Sequence, residues 1–110
     1  MDLVVMCYQA TKNFPKNETY GLTSQLQRSA VSIPANIAEG HQRKYSKEFL
    51  QYLSIAYGSL GELETHLLIA ERLGYIDKSQ AHAFLEETAE LGKMINGLRR
   101  SVEKKLHSDP

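Results

Sequence analysis

The sequence predicts an all-α protein, an antiparallel up-down-up-down four-helix bundle spanning residues 1–110 as one domain. Three observations carry that prediction. Apolar residues recur every three or four positions in four separate segments, and no segment alternates strictly as a half-buried strand would. The only three prolines fall at or near segment ends, except Pro34, and there is no tryptophan. The two longest apolar stripes are separated by only a few residues, which forces their helices to be antiparallel neighbours.

The first helix is expected from Leu3 to Phe14, with Leu3, Val4, Cys7, Tyr8 and Thr11 on its inner face. Pro15 stops it, because the residue before a proline avoids the helical region. A loop follows to Gly21. The second helix is expected from Leu22 to Gly40, where Leu22, Leu26, Ser29, Ile33, Ile37 and Gly40 step by three or four. Pro34 lies inside it and removes the donor for the Ala30 carbonyl, an expected kink. Gly40 is expected to cap its C-terminus. The third helix is expected to open with Ser46 as N-cap and Glu48 in its first turn. Its stripe is Phe49, Leu53, Ala56, Leu60, Leu63, Leu67 and Ala70, and Gly74 stops it. The fourth is expected to open at Asp77, with Gln80 completing a capping box. Its stripe is Ala81, Leu85, Thr88, Leu91, Ile95, Leu98 and Val102, and its end lies near Leu106.

Composition narrows the function. Thirteen Lys and Arg balance thirteen Asp and Glu, and 42% of residues are hydrophobic, which excludes a disordered tail or a uniformly basic arm. No apolar run reaches the ~18 residues that span a bilayer, and the N-terminus lacks a basic leader, so a soluble, cytoplasmic protein without membrane partners is expected. Cys7 is the sole cysteine and can form no internal disulfide. No glycine-rich phosphate loop, nucleophile elbow or paired Glu-x-x-His motif is present, so neither enzyme activity, nor a cofactor, nor a metal is expected. Glu62–His66 and His82–Glu86 are spaced four apart, but beside the apolar stripes rather than in them.

Charge is unevenly distributed. Between Glu62 and Glu90 seven acidic residues face two basic ones, whereas Lys93 to Lys105 holds five basic and one acidic. In an up-down-up-down bundle the second loop and the C-terminal helix end share one pole. Arg43, Lys44 and Lys47 are therefore expected near Arg99, Arg100, Lys104 and Lys105, with Tyr45 among them to stack on a base. Such a pole suits RNA or DNA bound through its backbone. The alternative is that these cations merely complement the helix dipole and that the protein is an adaptor for a partner protein. Arg28 and Glu39, with Glu62 and Glu64 as candidate partners, are either a buried ion pair fixing register or a solvated face. Ser32 and Asn36 are expected to satisfy groups freed by Pro34. Tyr52, Ile55 and Ser59, on a second face of the third helix, point to self-association, as do Gly58 and Gly61.

The run from Gln25 to Gly40, QLQRSAVSIPANIAEG, resembles the signature of the four-helix-bundle proteins encoded in intervening sequences of 23S ribosomal RNA genes. Phe14-Pro15, Glu18 to Leu22, Ile55 to Glu64 and Leu73 to Ile76 support the resemblance, which covers nearly the whole chain. It singles out Arg28, Ser32, Pro34, Asn36, Glu39, Gly40 and Glu62 as motif residues. It implies a homopentamer, and a likeness to the accessory variability protein of diversity-generating retroelements, which binds a reverse transcriptase and nucleic acid. It also implies a longer first helix, beginning ahead of the position of Met1. The resemblance implies no reaction.

Overall fold

A computed structural model describes residues 2–108. Four α-helices follow one another, α1 (Asp2–Thr11), α2 (Leu22–His41), α3 (Ser46–Arg72) and α4 (Lys78–Ser108), with a short 3-10 turn at Lys16–Glu18 and no strand among the described residues. α2 packs on α3, α3 on α4, and α1 on both α2 and α4, the cyclic neighbour order of an up-down-up-down bundle. The molecule is elongated, 54 × 24 × 18 Å.

The core follows the expected stripes closely in α2 and α3. Leu26, Ala30 and Ile33 of α2 share one core cluster with Ala56, Leu60, Leu63, Leu67 and Ala70 of α3, all nearly inaccessible, and Leu53 is buried too. α4 departs from expectation. Phe84 is buried although the spacing nominated Leu85, and Leu98 is 38% exposed. The first shift follows from the neighbours: Phe84 lies beside Met6 and Ala10 of α1. Beneath its first turn an apolar cleft opens between Pro34, Ile37 and Ala38 of α2 and Leu91 of α4.

Local chemistry sets the helix ends. α3 closes with Gly74 in the left-handed conformation (φ 78°); the Tyr75 amide donates to the Ala70 carbonyl (2.9 Å) and the Gly74 amide to the Glu71 carbonyl (3.0 Å), a Schellman closure that only glycine enters without strain. The capping box before α4 forms as expected, with Gln80 N to Asp77 Oδ1 at 2.7 Å and Asp77 N to Gln80 Oε1 at 2.9 Å. At the start of α3 the expectation fails by one residue. Tyr45 is the N-cap and offers no side-chain bond, so Ser46 is the first helical residue. Gly40 is not a cap either: α2 continues to His41 and Gln42 takes the C-cap. Gly40 is buried where α2 crosses α3, and a Cβ there would lie 2.7 Å from Tyr52 Cβ and 2.9 Å from Phe49 Cδ1. Its role is to let the two helices touch.

α2 is continuous through Pro34. Asn36 Nδ2 donates to the Ser32 carbonyl (2.7 Å) and hydroxyl (2.9 Å), and the Ser32 hydroxyl shares a 2.8 Å hydrogen bond with that of Ser59 on α3. The pair therefore ties α2 to α3, and does not serve the Ala30 carbonyl as expected. The register ion pair does not form. Arg28 and Glu62 are exposed and unpaired among the described residues, Glu39 pairs with Arg43, and Glu64 accepts from Thr88 (2.8 Å).

Candidate nucleic-acid interface

The α2–α3 loop and the last turns of α4 meet at one pole. Lys44, Tyr45 and Lys47 line a shared open cavity of about 630 Å³ with Ser46, Gln51 and Lys105. Four of the eight residues nominated for nucleic acid are thus brought together across two elements. The loop chemistry explains their presentation. No side chain covers the first amides of α3, so the positive end of its dipole opens into the cavity. Tyr45 is 61% exposed, and Lys44 Nζ lies 5.6 Å from its ring centroid, leaving one face of an aromatic beside an ammonium group. Among the described residues Glu48 is the one carboxylate lining the cavity; its Oε2 lies 3.9 Å from Arg43 Nη1.

Arg43 sits at this pole but is engaged. Its guanidinium donates to Glu39 Oε1 (2.5 Å) and to the Tyr52 hydroxyl (2.7 Å) and lies 5.0 Å from the Tyr52 ring centroid. The Glu39 hydrogen bond holds its pKa above the ordinary value. This is a clamp between the end of α2 and the second turn of α3, and it draws Tyr52 away from the outer face of α3. Arg99 is likewise occupied, over the Tyr57 ring at 5.4 Å and donating to Asn96 Oδ1 at 3.4 Å. Arg100 and Lys104 are exposed on α4, outside the cavity. Sequence spacing placed all these cations at one pole; it did not register that the two arginines had aromatic and amide neighbours at helical or cross-loop distance.

The histidine–glutamate pairs face different surroundings. His82 Nε2 lies 2.6 Å from Glu86 Oε1 at the surface, while Glu62 and His66 line a groove against α2. Among the described residues no three His, Cys, Asp or Glu side chains converge on a metal-sized site. Among the described residues no helix is long and apolar enough to cross a membrane.

The described residues form a slender antiparallel four-helix bundle with a lysine-rich pole. The chain belongs to the 23S rRNA-intervening sequence protein family, whose model matches residues 1–97. Its fold is similar to the crystal structure of a protein with unknown function from the S23 ribosomal protein family of Bacteroides thetaiotaomicron, 27% identical, covering 87% of each chain with a TM-score of 0.77. No curated protein matches.

Proposed function

We propose that this protein is a non-enzymatic, self-associating scaffold that binds RNA or DNA electrostatically through its basic pole. The single observation that carries the reading is the cavity where Lys44, Lys47 and Lys105 from two elements surround an exposed aromatic at an uncapped helix start. Phosphates neutralised there would release condensed counterions, which favours binding at low salt. Backbone contact and base stacking on Tyr45 carry no sequence code, so binding is indifferent to sequence. The likeness to the accessory variability protein of diversity-generating retroelements belongs to the same proposal.

Self-association is supported by the outer face of α3. Ile55 and Ile69 are 51% and 42% exposed on its outer side, and a Cβ at Gly58 would meet open space there. Ser59 and Tyr52, nominated for the same face, are spoken for by Ser32 and Arg43. A ring of five parallel copies would place every basic pole on one side and multiply weak contacts by avidity, ~10²–10⁴ when geometry permits.

The test is fluorescent RNA binding over a salt titration, with wild type and the triple variant Lys44→Glu, Lys47→Glu, Lys105→Glu. The expected result is steep salt dependence in wild type and loss of binding in the variant at unchanged helicity. Equal binding by both, or none by wild type at low salt, gives the protein to the adaptor reading, in which the ring recruits a partner protein.

A further inference from the structure

We propose that the groove between α2 and α3 is a binding site for a small zwitterion of the α-amino acid class. The groove encloses about 570 Å³ and lies between the two helices that pack most closely. α2 contributes Gln25, Arg28, Ser29 and Ser32; α3 contributes Ser59, Glu62 and His66. Every one of these side chains is polar, in contrast to the apolar cleft beneath α1.

Its floor is built before any ligand arrives. Asn36 donates to Ser32, Ser32 bonds Ser59 across the helices, and the buried Ser29 hydroxyl donates back to the Leu26 carbonyl at 3.0 Å. These bonds fix the hydroxyls, so a bound group would meet oriented dipoles rather than rotors. The walls carry opposite charges on opposite helices. Arg28 on α2 and Glu62 on α3 have no hydrogen-bond or ion-pair partner among the described residues. Both therefore keep their charges for solvent or a ligand, unlike Glu39, Glu64 and Glu86, which take Arg43, Thr88 and His82. His66, one helical turn beyond Glu62, holds its Nδ1 out of solvent with no hydrogen-bond partner among the described residues.

Charge selects the ligand class. A simple anion drawn to the Arg28 guanidinium meets the Glu62 carboxylate, and a simple cation meets the reverse conflict. A molecule with a carboxylate and an ammonium on neighbouring atoms satisfies both walls, the carboxylate accepting from Arg28 in the forked geometry guanidinium prefers. The residues that line the groove are all polar, so an apolar ligand side chain would find no apolar lining in it.

The experiment is an NMR titration of the full chain with glycine, and with acetate and methylammonium as its two halves, at fixed ionic strength. Glycine should shift the amides of residues 25–32 and 59–66 saturably, at about millimolar concentration, while residues 44–47 at the basic pole stay unmoved. Each half-ligand should bind at least about tenfold more weakly. Arg28→Gln and Glu62→Gln, both at exposed positions, should each weaken glycine at least tenfold with unchanged circular dichroism. No saturable shift with glycine, acetate shifting the groove as strongly as glycine, or either variant binding like wild type overturns the proposal. RNA binding at the basic pole is measured separately and stands or falls without it.

Discussion

The two poles of the bundle use their polar groups in opposite ways. At the α3–α4 turn, they are consumed internally. Tyr75 packs against Phe14 with ring centroids 5.2 Å apart and donates its hydroxyl to Glu18 Oε2 at 2.9 Å; the other oxygen of Glu18 accepts the Leu22 amide at the start of α2. The Schellman closure and the capping box occupy further helix-end groups there. At the α2–α3 loop the first turn of α3 has no side-chain cap, and Lys44, Tyr45 and Lys47 face solvent. The first pole ties its helix ends together with side-chain bonds; the second leaves a helix start open beside exposed lysines.

The largest test of that contrast is a pair of aromatic truncations. Phe14→Ala removes a ring 7% exposed and should cost ~3–5 kcal/mol of stability, with RNA affinity unchanged once folded. Tyr45→Ala should leave stability within ~0.5 kcal/mol and weaken RNA by ~1–3 kcal/mol if a base stacks there. Chemical denaturation and fluorescence titration of both variants check this, and equal effects of the two on stability would erase the distinction.

Gly40→Ala sharpens the comparison, because Gly40 lies near the open pole yet is packed like the closed one. The added methyl meets Tyr52 Cβ, not the end of a flexible side chain, so overpacking of ~1–3 kcal/mol should outweigh the better helix propensity of alanine, ~1 kcal/mol. A rise in melting temperature would show that this crossing has slack.

Capping gives a smaller effect with opposite signs at the two poles. Asp77→Ala should lose ~1 kcal/mol. Tyr45→Asp should gain about as much by supplying the missing cap, while its charge and lost ring weaken RNA binding. A variant that melts higher and binds worse is the expected signature of a pole left uncapped for its ligand.

The smallest effect is alkaline. The hydrogen bond to Glu18, with burial, raises the Tyr75 pKa above its ordinary value of 10.0. A raised pKa means that the contribution is intact below pH 10 and fades as pH climbs through the folded value. Stability of wild type should fall more steeply above pH 10 than that of Tyr75→Phe; parallel curves would remove Glu18–Tyr75 from the pole's account.

Most of the fold was legible because its causes are local. The α3 stripe, Gly74 and the Asp77–Gln80 box each specify structure within a few residues of themselves. What was missed depended on neighbours far along the chain. Phe84 is buried because α1 reaches it, and Gly40 is needed by Tyr52 and Phe49 rather than by its own helix end. The candidate site was legible as a charge cluster. Its division into lysines around a cavity and arginines clamped by Glu39, Tyr52 and Tyr57 required the third dimension.

The docking of α1 has a kinetic consequence. α1 is held to the bundle by Leu3, Cys7 and Ala10 and by the 2.9 Å bond from Gln27 Nε2 to Thr11 Oγ1. Local opening that lifts this helix, without unfolding the rest, exposes what it covers. Cys7 makes that opening visible. Burial leaves its thiol fully inaccessible and pushes its pKa up to about 12, so a thiol reagent labels it only in molecules whose α1 has lifted. Its labelling rate is a clock for one helix, running in a protein whose long hairpin stays shut.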